Sequence, residues 1–220
     1  RTIDASAVTG ATGNTIDISE FVATGATTLT GSATGSTVFT GGAGPDLMQG
    51  GSAVDTFTVN AGNTGDAAKG GLGNDIFSFT AALLAANSAS TATYDGEGGT
   101  DVMDITDNGA TIVDADFRGM SSIETLTTGD GVNSITLEAL ADAAGITTIT
   151  DGTGADTIVM SNAAFNNAVT INAGNGIDII TLGAQTATVV LTGTNVAGND
   201  SDVITGFTTL TDKINLDALT

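Results

Sequence analysis

The sequence lacks the side chains on which much protein chemistry depends. It has no cysteine, no histidine and no tryptophan, and only 4 of its 220 residues are basic. These absences exclude disulfides, thiolate or imidazole metal sites, and catalysis that uses a histidine base. They also exclude nucleic-acid binding by phosphate neutralisation, which needs clustered Lys and Arg. No apolar run approaches the roughly 20 residues of a membrane span, so we expect no membrane insertion.

Acidic residues and glycine are abundant instead. The 25 acids, 21 of them Asp, give a net charge of −21, and there are 31 glycines. Asp favours turns over helices, and glycine here has about twice its usual share. A 40% apolar content still allows a packed core. The composition therefore predicts short strands joined by Gly/Asp turns, which is an all-β fold.

Internal repeats specify the architecture. A glycine, any residue, an Asp or Asn, and then alternating apolar residues recur along the chain. The apolar pairs are Ile16/Ile18, Phe77/Phe79, Ile135/Leu137, Ile158/Met160 and Ile180/Leu182. Asn133, Asp156, Asp178 and Asp202 follow one another at intervals close to 22 residues. A constant period with one turn and strand per repeat predicts a parallel β-solenoid, a single domain over 1–220, with short helical excursions at 81–92, 137–145 and 161–169.

Residues 41–78 carry the most specific motif. The nonapeptide Gly-Gly-x-Gly-x-Asp-x-apolar-x occurs complete at 41–49 and 70–78, and with one or more changes at 50–58 and 61–69. The spacing predicts two stacked pairs, Asp46 with Asp66 and Asp55 with Asp75. Carboxylates and backbone carbonyls are the oxygen ligands that Ca²⁺ prefers, and stacked carboxylates repel one another unless a cation lies between them.

This section of the chain resembles the RTX, or haemolysin-type, calcium-binding repeats. The resemblance implies an RTX β-roll that binds several Ca²⁺ ions. The residues expected to form the metal sites are Gly42, Gly44, Asp46, Gly51, Asp55, Asp66, Gly71, Gly73, Asp75, Asp101, Asp156 and Asp178. For Asp156, Asp178 and Asp202 an ordinary turn Asp that binds backbone amides is an equal alternative. Asn14 and Asn133 are interpreted as stacked turn amides or as ligands.

Two further resemblances concern location. Residues 202–216 look like the closing segment of RTX proteins exported by type I secretion, whose export signal is C-terminal; no N-terminal signal peptide is visible. Residues 116–126 and 145–150 are similar to bacterial surface-layer and surface-filament proteins. The resemblances imply a secreted, extracellular protein at a cell surface, with 202–220 as its closing segment.

Three functions follow as expectations. The first is a non-enzymatic structural protein that folds on binding calcium and assembles with copies of itself, with cell-surface polysaccharide as a further candidate partner. The second is a calcium-binding accessory module of a larger secreted enzyme or adhesin. The third is a ligand-binding surface protein, such as an ice binder that uses threonine rows; regular Thr-x-Thr repeats on one face are not evident from the sequence. No acid pair stands out as a catalytic site.

Overall fold

The chain folds as a parallel β-solenoid in which each coil adds one strand to each of two sheets. The computed structural model describes residues 1–9, 13–20, 25–59, 65–191 and 201–216. Two compact units are present: unit 1 is Arg1–Asp104 with Arg118–Ile123, and unit 2 is Ile105–Phe117 with Glu124–Thr220. The predicted fold class, all-β with short helical excursions, is confirmed.

Unit 1 contains two parallel sheets, whose strands are numbered in chain order. The first sheet runs in the order β1 (Thr2–Asp4), β3 (Thr27–Thr30), β5 (Asp46–Gln49), β7 (Ala67–Leu72), β9 (Thr93–Gly98) and β12 (Met120–Ser121). The second runs in the order β2 (Asn14–Asp17), β4 (Thr37–Thr40), β6 (Thr56–Thr58), β8 (Ile76–Phe79) and β10 (Val102–Ile105). Consecutive strands of the chain therefore alternate between the sheets.

Unit 2 repeats this arrangement. One sheet runs in the order β11 (Thr111–Ile112), β14 (Ser134–Thr136), β16 (Thr157–Val159), β18 (Ile179–Thr181) and β20 (Val203–Thr205). The other runs in the order β13 (Thr125–Thr127), β15 (Thr148–Thr150), β17 (Val169–Asn172), β19 (Ala187–Val190) and β21 (Lys213–Asn215). Apart from these strands, the described residues form two short α-helices, α1 (Ala81–Asn87) and α2 (Ala139–Ala144), and a 3-10 helix at Asp114–Phe117.

The core is made of rows of like side chains that stack from coil to coil. In unit 1 the rings of Phe39, Phe57 and Phe77 stack with centroids 4.9 Å apart at each step, and all three are fully buried. In unit 2, Ile135 lies beside Ile158 and Ile158 beside Ile180 in register. The predicted alternating apolar pairs are all buried, so the expected period-two pattern is confirmed.

The helical excursions are confirmed at two of the three expected places. Helix α1 lies within 81–92 and α2 within 137–145, whereas 161–169 forms turns without a helix. Asp114 explains how α2 begins: its carboxylate accepts hydrogen bonds from the amides of Glu138, Leu140 and Ala141 at 2.9–3.1 Å. At 161–169 three asparagines compete with the helical backbone for hydrogen bonds, which favours turns.

Candidate cation-binding site

The acidic residues of the turns form ladders at the start of successive strands. In each ladder one carboxylate oxygen, Oδ1, accepts a hydrogen bond from the backbone amide of the equivalent residue in the preceding coil. Asp66 accepts from the amide of Asp46 at 2.8 Å, and Asp75 accepts from the amide of Asp55 at 2.7 Å, each across 20 residues. The stacking of these two pairs, which the nonapeptide spacing predicted, is thus present. We call these residues the ladder residues.

The ladders extend through both units. In unit 1 the same bond joins Asp46 to the amide of Thr27, Asp55 to that of Thr37 and Asp101 to that of Asp75. In unit 2 it joins Asn133 to Ala110, Asp156 to Asn133, Asp178 to Asp156 and Asp202 to Asp178. Because charged acceptors form the stronger hydrogen bonds, the ladders tie each coil to the one before it.

The second carboxylate oxygen, Oδ2, separates the ladder residues into two kinds. In Asp46 it accepts from the amide of Gly42 at 2.9 Å, and in Asp55 from the amide of Gly51 at 2.7 Å. In Asp66, Asp75, Asp156 and Asp178 it is buried and receives no hydrogen bond from the described residues. These four side chains belong to residues at most 1% exposed. A buried carboxylate oxygen without a donor is costly, so its charge calls for a proton or a cation.

Burial raises the pKa of these carboxyls. Desolvation, the largest cause, raises the pKa of Asp66 to about 6 and that of Asp75 to about 7, with neighbouring ladder carboxylates adding to both shifts. In unit 2 desolvation raises the pKa of Asp178 to about 7, assisted by the charges of Asp202, Asp156 and Asp151. The pKa of Asp156 is raised for the same leading reason. These oxygens therefore attract positive charge near neutral pH.

The glycines of the expected sites have steric roles in the turns. Gly42 and Gly51 supply the amides described above. Gly71 has φ +102°, and a Cβ there would lie 2.2 Å from the carbonyl oxygen of Gly51 in the preceding coil. At Gly73, with φ +132°, a Cβ would lie 2.6 Å from the carbonyl oxygen of Ala53. Gly44 has φ +112° in the first turn. Backbone carbonyls thus come as close to the next coil as glycine allows.

Unit 2 contains two residues of the candidate site whose role could not be predicted from the sequence. Asn133 is a ladder residue and therefore a stacked amide, one of the two interpretations left open. Asp151, which was not expected at the site, is 5% exposed, and its Oδ1 accepts from Asn133 Nδ2 at 2.7 Å and from the hydroxyl of Thr128. Its Oδ2 receives no hydrogen bond from the described residues. Its place five residues before a ladder Asp is the only sequence signal for it.

Other turn acids accept hydrogen bonds from the following coil. Asp142 accepts from the amides of Asn166 and Asn167 at 2.6 and 2.8 Å, one coil later. Asp130 accepts from the amide and hydroxyl of Thr153. These carboxylates have their donors and are not candidate ligands.

The donor set of the turns fits a hard cation such as Ca²⁺. Among the described residues no group of three or more His, Cys, Asp or Glu side chains converges as a metal cluster. Within the described ranges, the turns contain buried carboxylate oxygens that receive no hydrogen bond and backbone carbonyls that approach the next coil. Calcium accepts both kinds of oxygen. Asp66, Asp75, Asp156 and Asp178 are the residues that would hold it. The nonapeptide that opens at residue 61 lies partly outside the described residues.

Comparisons with known proteins add no assignment. No protein-family model, curated protein or solved structure matches this chain significantly. In the part of the chain that the structure describes, neither helix is long and apolar enough to cross a membrane.

Proposed function

We propose that the chain is an extracellular structural protein whose coils are held together by Ca²⁺ and which assembles with copies of itself into a surface layer or filament. The observation that carries the calcium part is the set of buried carboxylate oxygens in Asp66, Asp75, Asp156 and Asp178 that receive no hydrogen bond within the described part of the chain. Like charges on neighbouring coils repel, and a divalent cation between coils removes that repulsion while the ladder hydrogen bonds persist.

The two-sheet parallel coil is compatible with the β-roll of RTX proteins, which supports assigning the repeats at 41–78 to that class. Extracellular calcium modules bind at about 10⁻⁴ to 10⁻³ M. A chain of this kind stays incompletely folded at the low calcium of a cell interior and folds outside. That sequence of events suits export by type I secretion, for which 202–220 would be the signal; residues 217–220 lie outside the described residues.

Self-assembly is supported by the strands that end the sheets. In unit 1, β1 and β2 stand at the ends of their sheets, and in unit 2, β20 and β21 do so. Ile3 on β1 is 37% exposed and Ile214 on β21 is 45% exposed, although they alternate with polar residues as core-facing positions would. Edge strands with exposed apolar residues favour pairing with another chain. Leu219, a further apolar residue expected at this end, lies outside the described residues.

A calcium titration tests the proposal. Far-UV circular dichroism from EGTA to 10 mM calcium, with magnesium as the control, should show a calcium-specific gain of β signal, and light scattering should rise with it. A gain of β signal without scattering would favour the alternative, an accessory module of a larger secreted enzyme or adhesin. A chain that is fully folded in EGTA and insensitive to calcium would contradict the calcium part of the proposal.

A sharper test of the calcium ligands compares two matched double variants. The pair Asp66→Ala and Asp75→Ala removes two carboxylates whose Oδ2 has no donor among the described residues. The pair Asp46→Ala and Asp55→Ala removes two carboxylates whose oxygens are all hydrogen-bonded. We expect the first double variant to raise the calcium midpoint of folding more than the second. Equal midpoints in both variants would remove the distinction on which the assignment of these ligands depends.

A second candidate function is favoured by threonine rows that the sequence did not reveal. Thr125, Thr148, Thr170 and Thr188 lie side by side in register on β13, β15, β17 and β19. Thr127 and Thr150 form a shorter second row two residues further along. The sequence alone did not make these rows evident, because the threonines align across coils 18 to 23 residues apart rather than within one segment.

The rows give an ordered array of hydroxyls, about 4.8 Å apart across strands and about 6.6 Å apart along them. No charged residue occupies the outward positions of these four strands, in a chain of net charge −21. Such a face suits a flat, periodic ligand rich in hydroxyls, such as crystalline polysaccharide or ice. Thr148→Lys should abolish co-sedimentation with that ligand, while Thr157→Lys on the other sheet should not; equal binding by both variants would contradict it.

A further inference from the structure

Asn133 occupies a ladder position at which the following two coils have Asp. Its Oδ1 accepts from the amide of Ala110 at 2.7 Å, and its own amide donates to Oδ1 of Asp156 at 2.7 Å. It is fully buried. In backbone terms it is therefore equivalent to Asp156 and Asp178, and the difference between them is confined to the second polar atom of the side chain.

That second atom is an amide nitrogen surrounded by oxygens. Asn133 Nδ2 donates to the carbonyl oxygens of Gly129 at 2.9 Å and Gly131 at 3.2 Å, and to Oδ1 of Asp151 at 2.7 Å. The same Asp151 oxygen accepts from the amide of Gly152 at 2.9 Å and from the hydroxyl of Thr128. Two backbone carbonyls and one carboxylate are oxygens of the kinds that Ca²⁺ binds, but here the amide group satisfies them.

The next coil repeats the two glycines of this turn without the side-chain donor. Gly152 stacks on the carbonyl oxygen of Gly129, where a Cβ would lie 2.7 Å from it, and Gly154 stacks on that of Gly131, where a Cβ would lie 2.2 Å from it. The turn before Asp156 thus repeats the turn before Asn133. Its second side-chain atom is an oxygen that is buried and receives no hydrogen bond from the described residues.

We propose that Asn133 is a built-in substitute for the cation: its amide group neutralises the turn oxygens that calcium neutralises at Asp156 and Asp178. The coil at Asn133 is consequently held to its neighbours without metal, and unit 2 contains a calcium-independent section from which the calcium-dependent coils continue. The metal part of this inference rests on the proposed function, whereas the amide network at Asn133 does not.

Two reciprocal variants test it. Asn133→Asp keeps the oxygen that accepts from Ala110 but places a second carboxylate against Asp151, so this coil should become calcium-dependent. Asp156→Asn keeps the oxygen that accepts from Asn133 and adds a donor, so its coil should lose that dependence. With calcium at tenfold the dissociation constant, one site multiplies the folding constant by about 11. The ratio of folding constants with and without calcium should rise about tenfold in Asn133→Asp and fall about tenfold in Asp156→Asn.

Urea unfolding of the full chain in EGTA and in 5 mM calcium measures both ratios, and amide exchange of Ala110 and Asn133 reports the coil itself. If the wild type responds to calcium and neither variant changes the ratio, the substitution hypothesis is overturned while the proposed function stands. If the wild type does not respond to calcium at all, the proposed function fails and the metal part falls with it. If Asn133→Asp does not fold even in calcium, Asp156→Asn alone decides, since it should be more stable than the wild type in EGTA.

Discussion

Units 1 and 2 share the parallel coil and the ladder, and they differ in coil length and in the residue beside Oδ2. In unit 1 the coils of the nonapeptide section repeat every 20 residues, and Asp55, Asp75 and Asp101 each face a glycine five positions earlier. At Gly70 a Cβ would lie 2.2 Å from Oδ2 of Asp75. In unit 2 the repeat is 22 to 24 residues, and Thr128 and Asp151 occupy the position where unit 1 has glycine.

The two units show which part of the repeat is constrained. The ladder bond recurs from Thr37 to Asp101 in unit 1 and from Ala110 to Asp202 in unit 2, whereas coil length and the residue near Oδ2 vary. Additional residues are accommodated in corner segments such as α2, which has its own cap in Asp114. Loop amides satisfy the second carboxylate oxygen of Asp46 and of Asp55, whereas at Asn133 the second side-chain atom is a nitrogen that itself donates to the turn oxygens. Each solution can be broken separately.

The largest expected effect comes from the core of unit 1. Phe57 lies between Phe39 and Phe77, so Phe57→Ala opens a cavity and interrupts the stack on both sides. We expect a loss of about 3–5 kcal/mol in the free energy of unfolding. Ile158→Val in unit 2, which removes one methylene from an aliphatic row, should lose only about 0.5–1.5 kcal/mol. Urea unfolding monitored by circular dichroism compares the two, and equal losses would show that the phenylalanine row has no special role.

A comparison of two glycine substitutions separates the cost of a steric clash between coils from the cost of backbone strain. Gly71 and Gly65 have nearly the same φ, +102° and +101°, but a Cβ at Gly71 would meet the carbonyl oxygen of Gly51 at 2.2 Å, whereas at Gly65 the nearest atom is 3.5 Å away. Gly65→Ala should cost about 1–2 kcal/mol from the left-handed backbone alone. Gly71→Ala should cost more, because the coils must also separate. Thermal unfolding of both variants measures the excess; no excess would mean that the coils can shift freely.

The pH dependence of stability tests the buried oxygens. The pKa values of Asp66, Asp75 and Asp178 are raised from 3.8 to about 6, 7 and 7 in the folded chain. The folded state therefore binds these protons more tightly than the unfolded state, and the stabilisation is complete below about pH 4 and lost as pH rises through 6 to 7. In EGTA, the free energy of unfolding attributable to these groups should fall between pH 5 and pH 8.

Calcium should remove most of that dependence, because it replaces the protons at the same oxygens. Urea unfolding at pH 5, 6.5 and 8, with and without calcium, measures both slopes. Asp75→Asn serves as the control, since it should reduce the slope in EGTA. A stability that rises from pH 5 to pH 8 in EGTA would contradict the assignment of these groups.

The smallest effect is expected at the surface. Lys69 Nζ lies 2.7 Å from Oε1 of Glu97, but both side chains are more than a third exposed. Lys69→Gln should therefore change the free energy of unfolding by about 0–1 kcal/mol. A larger loss of unfolding free energy, measured in low salt and again in high salt, would indicate that the Lys69 ammonium also offsets the charge of the neighbouring ladder carboxylates.

Sequence reasoning predicted the parts of this fold that depend on periodicity. The alternating pairs, the parallel coils and the stacking of Asp55 on Asp75 follow from spacing alone. The hydrogen-bond partner of each carboxylate oxygen could not be predicted from spacing. Spacing determines which residues are neighbours but not how a side chain is rotated. Asp151 was missed for a related reason: an Asp-Gly after a strand is typical of any exposed turn, and its burial depends on contacts with Thr128 and Asn133.

The ladder bond has a direction, and this gives the chain an order of completion. Each ladder carboxylate serves the amide of the coil before it, so the amide of Asp55 finds its acceptor only when the segment that carries Asp75 is present. While the chain emerges from the ribosome, the ladder amide of its last coil therefore has no acceptor until the next coil has been made. Cutting at the C-terminal side of a coil leaves a donor unsatisfied, whereas cutting at its N-terminal side leaves a charged acceptor unsatisfied, and the second loss is the more costly. Stepwise shortening from the two ends should for that reason be unequal, with removal of early coils the more damaging.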